Sequence, residues 1–126
     1  MKLKLITLFL FVYSTCFAKN DLYANLQYPN IAEAISQLET GRYTSKLCKK
    51  YNNLFGMKVG SRNFHYGKTK GGYAKYKSKI LSVADYAAYE QRLIRKYNIK
   101  NSKQYLSVIG KNMLKIQITK NYYISF

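Results

Sequence analysis

Between Lys58 and Lys77 the sequence drops the helical spacing of apolar residues that it shows on either side. Four glycines, Gly60, Gly67, Gly71 and Gly72, punctuate this stretch, and Tyr73-Ala-Lys-Tyr76 alternates as a strand does. Upstream and downstream, apolar residues recur at i, i+3, i+4 and i+7. A chain patterned this way is neither a helical bundle nor an all-β domain. It predicts a mainly helical α+β fold with a small β-ribbon, its tip around Gly67 to Gly72.

The helical segments have readable ends. Asp21 to Tyr28 reads as a short helix or an ordered lead-in. Pro29 fits the first turn of a helix, where its missing N–H costs nothing, and Ile31, Ala34, Ile35 and Leu38 then form an apolar stripe. Gly41 supplies the stop. Thr44 or Ser45 caps a second, short helix with Leu47, Cys48 and Tyr51 inward and Lys46, Lys49 and Lys50 outward. Asn52 and Asn53 end it, because asparagine tolerates left-handed backbone. Ser78 caps the longest helix, Lys79 to Tyr97, whose expected buried face is Ile80, Val83, Ala84, Ala87, Leu93 and Ile94. Within it Asp85 is expected as a buried hydrogen-bonding acid and Glu90 as a surface residue. Asn101 or Ser102 starts a further helix with Tyr105, Leu106 and Ile109 inward, closed by Gly110. The tail, residues 111–126, alternates weakly.

The first 18 residues stand apart. Lys2 and Lys4 precede an apolar run from Leu5 to Val12, and Ala18 offers a small residue for cleavage. That pattern predicts a signal peptide over residues 1–18, because the run is far shorter than the roughly 20 residues a membrane-spanning helix needs. Acylation at Cys16 is the lesser alternative, since Tyr13, Ser14 and Thr15 make a poor approach to a lipidated cysteine. Taking 18 of 126 residues away leaves 108, enough for one domain over residues 19–126. Lys2 and Lys4 leave with the leader, which lowers the formal charge from +17 to +15. A field of that size favours anionic partners. Cell-wall polymers, anionic lipid surfaces and extracellular nucleic acid all qualify. Only Cys48 remains after cleavage, so no internal disulfide is expected even after export. The lone histidine, His65, excludes a histidine-based metal cluster, and neither a metal nor another cofactor is implied.

Glu39 is the residue that invites chemistry. At about 100° per residue it lies beside the stripe of Ile31, Ala34, Ile35 and Leu38, at the edge of the expected core. A partly desolvated carboxyl holds its proton more tightly and can act as a general acid. Periodicity alone favours a solvated glutamate in the last turn of an amphipathic helix. Glu33, two turns earlier, is expected on the surface. No Asp or Glu lies between Glu39 and Asp85, so the ribbon cannot supply a second catalytic carboxylate.

The run Ala34-Ile-Ser-Gln-Leu-Glu-Thr-Gly41, with Thr44-Ser45 and then Tyr51-Asn-Asn-Leu-Phe-Gly-Met-Lys58, resembles the signature of bacterial cell-wall glucosaminidases of glycoside hydrolase family 73. Gly72-Tyr-Ala-Lys-Tyr-Lys-Ser78 followed by Ser82-Val-Ala-Asp-Tyr86 is similar to the family's second block, an aromatic strand leading into a helix. The two blocks cover about residues 29 to 97 in the family's order. The resemblance implies a lysozyme-like fold with a glycan groove between a helical part and a β-lobe. It implies that Glu39, in the family's E-[ST]-G motif, is the catalytic general acid. It further implies that Asn52, Asn53 and Phe55 shape the groove floor and that Tyr73 and Tyr76 are aromatic positions on the lobe. The implied substrate is peptidoglycan, cut at the β-1,4 bond from N-acetylglucosamine to N-acetylmuramic acid.

The chain departs from the family pattern twice. Many members carry a second acid in the lobe, and its absence here points to assistance by the substrate's own 2-acetamido group. The family's closing Asp-Pro-x-Tyr-like stretch is matched only loosely by Thr119-Lys-Asn-Tyr-Tyr123, which leaves Tyr122 and Tyr123 both as candidates for the groove tyrosine. The resulting expectation is an exported, monomeric peptidoglycan hydrolase. Two alternatives remain: a wall-binding module that has lost turnover, and a basic secreted nucleic-acid binder, for which only charge and aromatic content speak.

Overall fold

A computed structural model of the chain describes residues 21–112. The predicted leader, residue Cys16 and both candidate tyrosines, Tyr122 and Tyr123, lie outside these residues, as does the tail beyond residue 112. A 3-10 turn at Asp21–Tyr23 is followed by helix α1 (Pro29–Glu39), helix α2 (Lys46–Tyr51), strands β1 (Gly67–Lys68) and β2 (Ala74–Lys75), and helix α3 (Lys79–Tyr97). Residues 102–112 are again helical and form α4. The fold is mainly helical α+β, as the patterning requires. The chain groups into two compact units, one ending at Ala88 and one starting at Tyr89.

Local chemistry sets most element ends in the first unit. Pro29 stands in the first turn of α1. Ser45, rather than Thr44, caps α2, its Oγ accepting from the Cys48 N–H at 3.2 Å. Asn52 ends α2 in left-handed backbone, φ 55°. Ser78 Oγ accepts from the Leu81 N–H at 3.4 Å at the start of α3. The ribbon is antiparallel, with Gly67 opposite Lys75 and Lys68 opposite Ala74, extended by a bridge between Lys58 and Tyr73. Gly67 therefore belongs to the strand, and the tip is the turn from Thr69 to Gly72, closed by Gly72 N–H to Thr69 O at 3.0 Å.

The core of this unit is aromatic. Phe55 stacks on Tyr86 with ring centroids 4.0 Å apart and meets Tyr23 edge-on at 6.1 Å. Ala32, Cys48, Leu54, Ala74, Tyr76 and Val83 are buried with them.

Two helices present faces other than those the apolar pattern suggested. On α1 the buried positions are Ala32 and Ser36, continued by Thr40, while Leu38 is 73% exposed and Ala34 also faces out. Small residues hold this face because the Tyr23 hydroxyl reaches Ser36 Oγ at 2.9 Å. A stripe drawn from apolarity alone misses a face packed through a hydroxyl. Glu33, expected on the surface, is half-buried. On α3 the buried row is Val83, Tyr86, Glu90 and Leu93, spaced i, i+3, i+7 and i+10, which turns Glu90 inward and leaves Ile80 exposed. Asp85 is buried, as expected.

In the second unit Leu93, Ile99, Tyr105 and Ile109 are buried. Asn101 caps α4, its Oδ1 accepting from the Gln104 N–H at 2.9 Å. Leu106, expected inward, is 56% exposed, since Tyr105 and Ile109 at i and i+4 take the buried face. Gly110 does not stop the helix, which runs on through residue 112.

Candidate active site

Glu39 is the last residue of α1, and the chain leaves it by an unusual route. Gly41, Arg42 and Tyr43 all have positive φ, at 56°, 57° and 66°. Left-handed backbone costs about 1–2 kcal/mol for each residue that carries a Cβ. Arg42 and Tyr43 bear that strain, and strain of this kind persists only where surrounding contacts over-determine it. Here they do. Thr40 is buried, donates its hydroxyl to Ser36 O at 2.7 Å and accepts the Tyr43 N–H at 2.8 Å. Arg42 N–H reaches Gln37 O at 2.7 Å, and Thr44 and Ser45 N–H both reach Thr40 O, at 3.1 and 3.0 Å. The Tyr43 hydroxyl meets that of Tyr23 at 3.0 Å, which joins the turn to Ser36.

The backbone beneath Glu39 is thus pinned, while its side chain stands exposed. Its expected place at the edge of the core does not hold, because the buried face of α1 is rotated away from Leu38. The carboxyl instead lies over the loop that follows α2. A Cβ on Gly56 would sit 3.2 Å from Glu39 Oε2 and 4.0 Å from its Cδ, and Gly56 has φ 62°. The backbone conformation calls for glycine, and any Cβ there would push the carboxyl aside by a few tenths of an ångström. Sequence reading overlooked this pairing, although the glycine after Leu54-Phe55 in the second half of the motif was its visible trace.

The remaining expected site residues divide by exposure. Asn53 is fully buried and every polar atom of its side chain is used: Nδ2 donates to Met57 O and Ala74 O, both at 2.9 Å, and Oδ1 accepts from Met57 N–H at 3.0 Å. It folds the loop that carries Gly56 and fastens it to β2. Asn52 Nδ2 donates to Tyr76 O at 3.1 Å. Phe55 is a core ring, packed on Tyr86 and Tyr23. The Tyr76 ring is buried, and its hydroxyl donates to Asp85 Oδ2. Asn53, Phe55 and Tyr76 therefore act on the shape of the loop and ribbon from beneath. Tyr73 is half-buried on the ribbon, with the Lys58 ammonium 5.4 Å from its ring centroid.

Asp85 is shared by two elements. Beyond the Tyr76 hydroxyl it accepts from Arg62 Nε, and Arg62 also donates to Lys58 O at 3.2 Å. Burial, then the hydrogen bond to Asp85, then the charge of Asp85 push the Tyr76 phenol far above its ordinary range, with Arg62 opposing. Burial likewise raises the Tyr23 phenol. Asp85 thereby ties the segment before the ribbon, the end of the ribbon and α3 together, which leaves its carboxyl spent on structure. Among the described residues no three His, Cys, Asp or Glu side chains gather as a metal site would need.

Comparison with known proteins supplies the frame for this cluster. A family model described as glucosaminidase, mannosyl-glycoprotein endo-beta-N-acetylglucosaminidase, matches residues 19–123. No curated protein and no solved structure matches significantly. The matched span contains Glu39, Asn52, Asn53, Phe55, Gly56, Tyr73 and Tyr76. It supports a peptidoglycan-hydrolase type of function.

Proposed function

The chain belongs to the glucosaminidase family, and on that premise we propose that it cleaves peptidoglycan at the β-1,4 bond from N-acetylglucosamine to N-acetylmuramic acid, with Glu39 as the general acid. The observation that carries this reading is the geometry around Glu39: an exposed carboxyl, fixed at its backbone by a strained and heavily bonded turn, set over a glycine that leaves it room. A glycan strand lying on that carboxyl would bring its glycosidic oxygen within reach of the acid.

The second group in the mechanism comes from the substrate. A protein nucleophile must stand about 5–5.5 Å from the acid in a retaining glycosidase, and residues 40–84 hold no carboxylate at all. Asp85 is buried and engaged by Arg62 and Tyr76. In the proposed first step the Glu39 proton passes to the glycosidic oxygen while the C1–O bond breaks, and the 2-acetamido carbonyl oxygen bonds to C1. Water then adds to C1, the acetamido oxygen leaves, and the carboxylate of Glu39 takes the water's proton. Both the acid and the net charge are restored. Export through the leader at residues 1–18 would bring the enzyme to its polymer.

Digestion of purified peptidoglycan followed by mass spectrometry of the new reducing ends tests the assignment. Reducing N-acetylglucosamine is expected, and reducing N-acetylmuramic acid would overturn the bond assignment. The missing lobe carboxylate favours one other reading, a wall-binding module without turnover. Binding to sacculi with no new reducing ends would establish that reading instead.

A further inference from the structure

A concave site is lined by residues other than those of the Glu39 cluster. Between α2 and the ribbon a cavity of about 400 Å³ is lined by Lys46, Lys68, Lys70 and Lys75, with Tyr51 as its aromatic wall. It shares no lining residue with the Glu39 and Gly56 cluster. Its walls are fastened to one another: Tyr76 N–H donates to Tyr51 O at 2.9 Å, and Asn52 Nδ2 donates to Tyr76 O at 3.1 Å. The ribbon tip is closed by Thr69 N–H to Tyr73 O at 2.8 Å.

The charge in this cavity has no counterweight. Four ammonium groups line it and no carboxylate does, nor does the sequence offer one between Glu39 and Asp85. Like charges around one concavity repel, and an anion bound there relieves them all at once. The cations are all lysines. Lysine binds phosphate as a point charge, whereas planar bidentate recognition of a carboxylate favours arginine. The site is a groove open to solvent, so a phosphate can sit among the lysines while the sugar or polyol attached to it runs out along the surface. Nucleic acid is disfavoured by the aromatic wall. Stacking a base needs an open ring face, and the Tyr51 ring already has the Lys75 ammonium 4.6 Å from its centroid and that of Lys50 at 5.4 Å.

We propose that this cavity is a binding subsite for the phosphodiester groups of an anionic polyol or glycan chain. It would hold the protein on a phosphate-bearing surface independently of the glycan that Glu39 acts on. Because the site and the glucosaminidase cluster share no lining residue, binding here stands or falls separately from hydrolysis.

The test is calorimetric titration of the whole protein at about 0.15 M salt with three probes: a synthetic glycerol-phosphate oligomer, phosphatidylglycerol vesicles diluted in phosphatidylcholine, and an oligo-dT strand. A variant carrying K46Q, K68Q, K70Q and K75Q is compared with one carrying R95Q, K96Q, K100Q and K103Q, which removes equal charge from residues that do not line the cavity. The expected result is a loss of about tenfold or more in oligomer affinity for the first variant and about threefold or less for the second. Oligomer binding without vesicle binding assigns the phosphodiester to a polymer. Binding of both, lost together in the first variant, assigns it to lipid headgroups as well and still supports the site. Equal losses in both variants, or tighter cavity-dependent binding of oligo-dT, would overturn it. Amide shifts on adding the oligomer to the unaltered protein give a check that needs no variant: they should concentrate at Leu47 and Thr69, and shifts spread evenly over the basic surface would count against the site.

Discussion

Replacing Gly56 by alanine separates what the glycine does for the backbone from what it does for Glu39. At φ 62° the added Cβ brings a left-handed penalty of about 1–2 kcal/mol. For a domain of this size that lowers the melting midpoint by roughly 4–10 °C. The same Cβ would meet Glu39 Oε2 at 3.2 Å, closer than a comfortable contact. The exposed carboxyl can retreat by a few tenths of an ångström, so the stability loss stays near the backbone figure. Catalysis does not escape so lightly. Misplacement of a reacting group by 1 Å costs roughly 100-fold, so a shift of a few tenths is expected to cost about tenfold.

Gly72→Ala is the matched control, for Gly72 also has positive φ, at 84°, but a Cβ there meets nothing within 4 Å. Both variants should melt earlier by comparable amounts. After correction for folded fraction, release of reducing ends from sacculi should fall about tenfold in Gly56→Ala and stay near the unaltered rate in Gly72→Ala. Equal activities in the two variants would refute the claim that Gly56 exists to seat the Glu39 carboxyl.

Other consequences can be measured on the same protein. Asp85→Ala strands a buried Tyr76 hydroxyl and the Arg62 guanidinium; a loss of about 3 kcal/mol or more in urea unfolding is expected, and a loss below about 1 kcal/mol would show that the carboxyl does not fasten ribbon to helix. The Tyr23 and Tyr76 phenols are raised in the folded state, so their contribution to stability is intact below the unfolded value of about 10 and is lost as pH climbs towards the folded ones. The urea midpoint should therefore fall above about pH 10, and a smaller fall is expected in Tyr76→Phe; identical alkaline profiles would contradict the assignment. Burial pushes the Cys48 thiol up, against the opposing charges of Lys79 and Lys49. A disulfide reagent should accordingly label Cys48 much more slowly in the native protein than in urea, and equal rates would argue against its burial.

Local signals in the sequence were reliable where local chemistry decides. The Ser45 and Ser78 caps, the left-handed Asn52, the glycine stop after Glu39 and the span of α3 all follow from interactions within a few residues. The antiparallel ribbon is equally local, since the glycines and the alternation at Tyr73 to Tyr76 determine it. Which face of a helix is buried is a tertiary matter, and there apolarity misled. Leu38 and Ile80 face out and Glu90 faces in; on α1 the buried face is set by Ser36, which packs through its hydroxyl contact to Tyr23, and hydrophobic spacing does not register such a contact.

The candidate site was legible in part. Glu39 stands out in the sequence as a lone acid at a helix end, and the motif marks its neighbours. The contact between Glu39 and Gly56 joins residues 17 positions apart, and three consecutive left-handed residues, two of them bearing side chains, are not forecast by composition. Asn53, Phe55 and Tyr76 show the other limit. Motif position marks them as important, while burial makes them supports under the loop and ribbon.

The central claim is that Glu39 donates the proton that breaks the glycan. The most direct test is Glu39→Gln, which keeps the shape of the side chain and removes the acid. Release of reducing ends from purified sacculi should fall to background while the circular dichroism spectrum and melting midpoint stay those of the unaltered protein, since the exposed carboxyl contributes little to the fold. Lysis by the variant at a comparable rate would contradict the account.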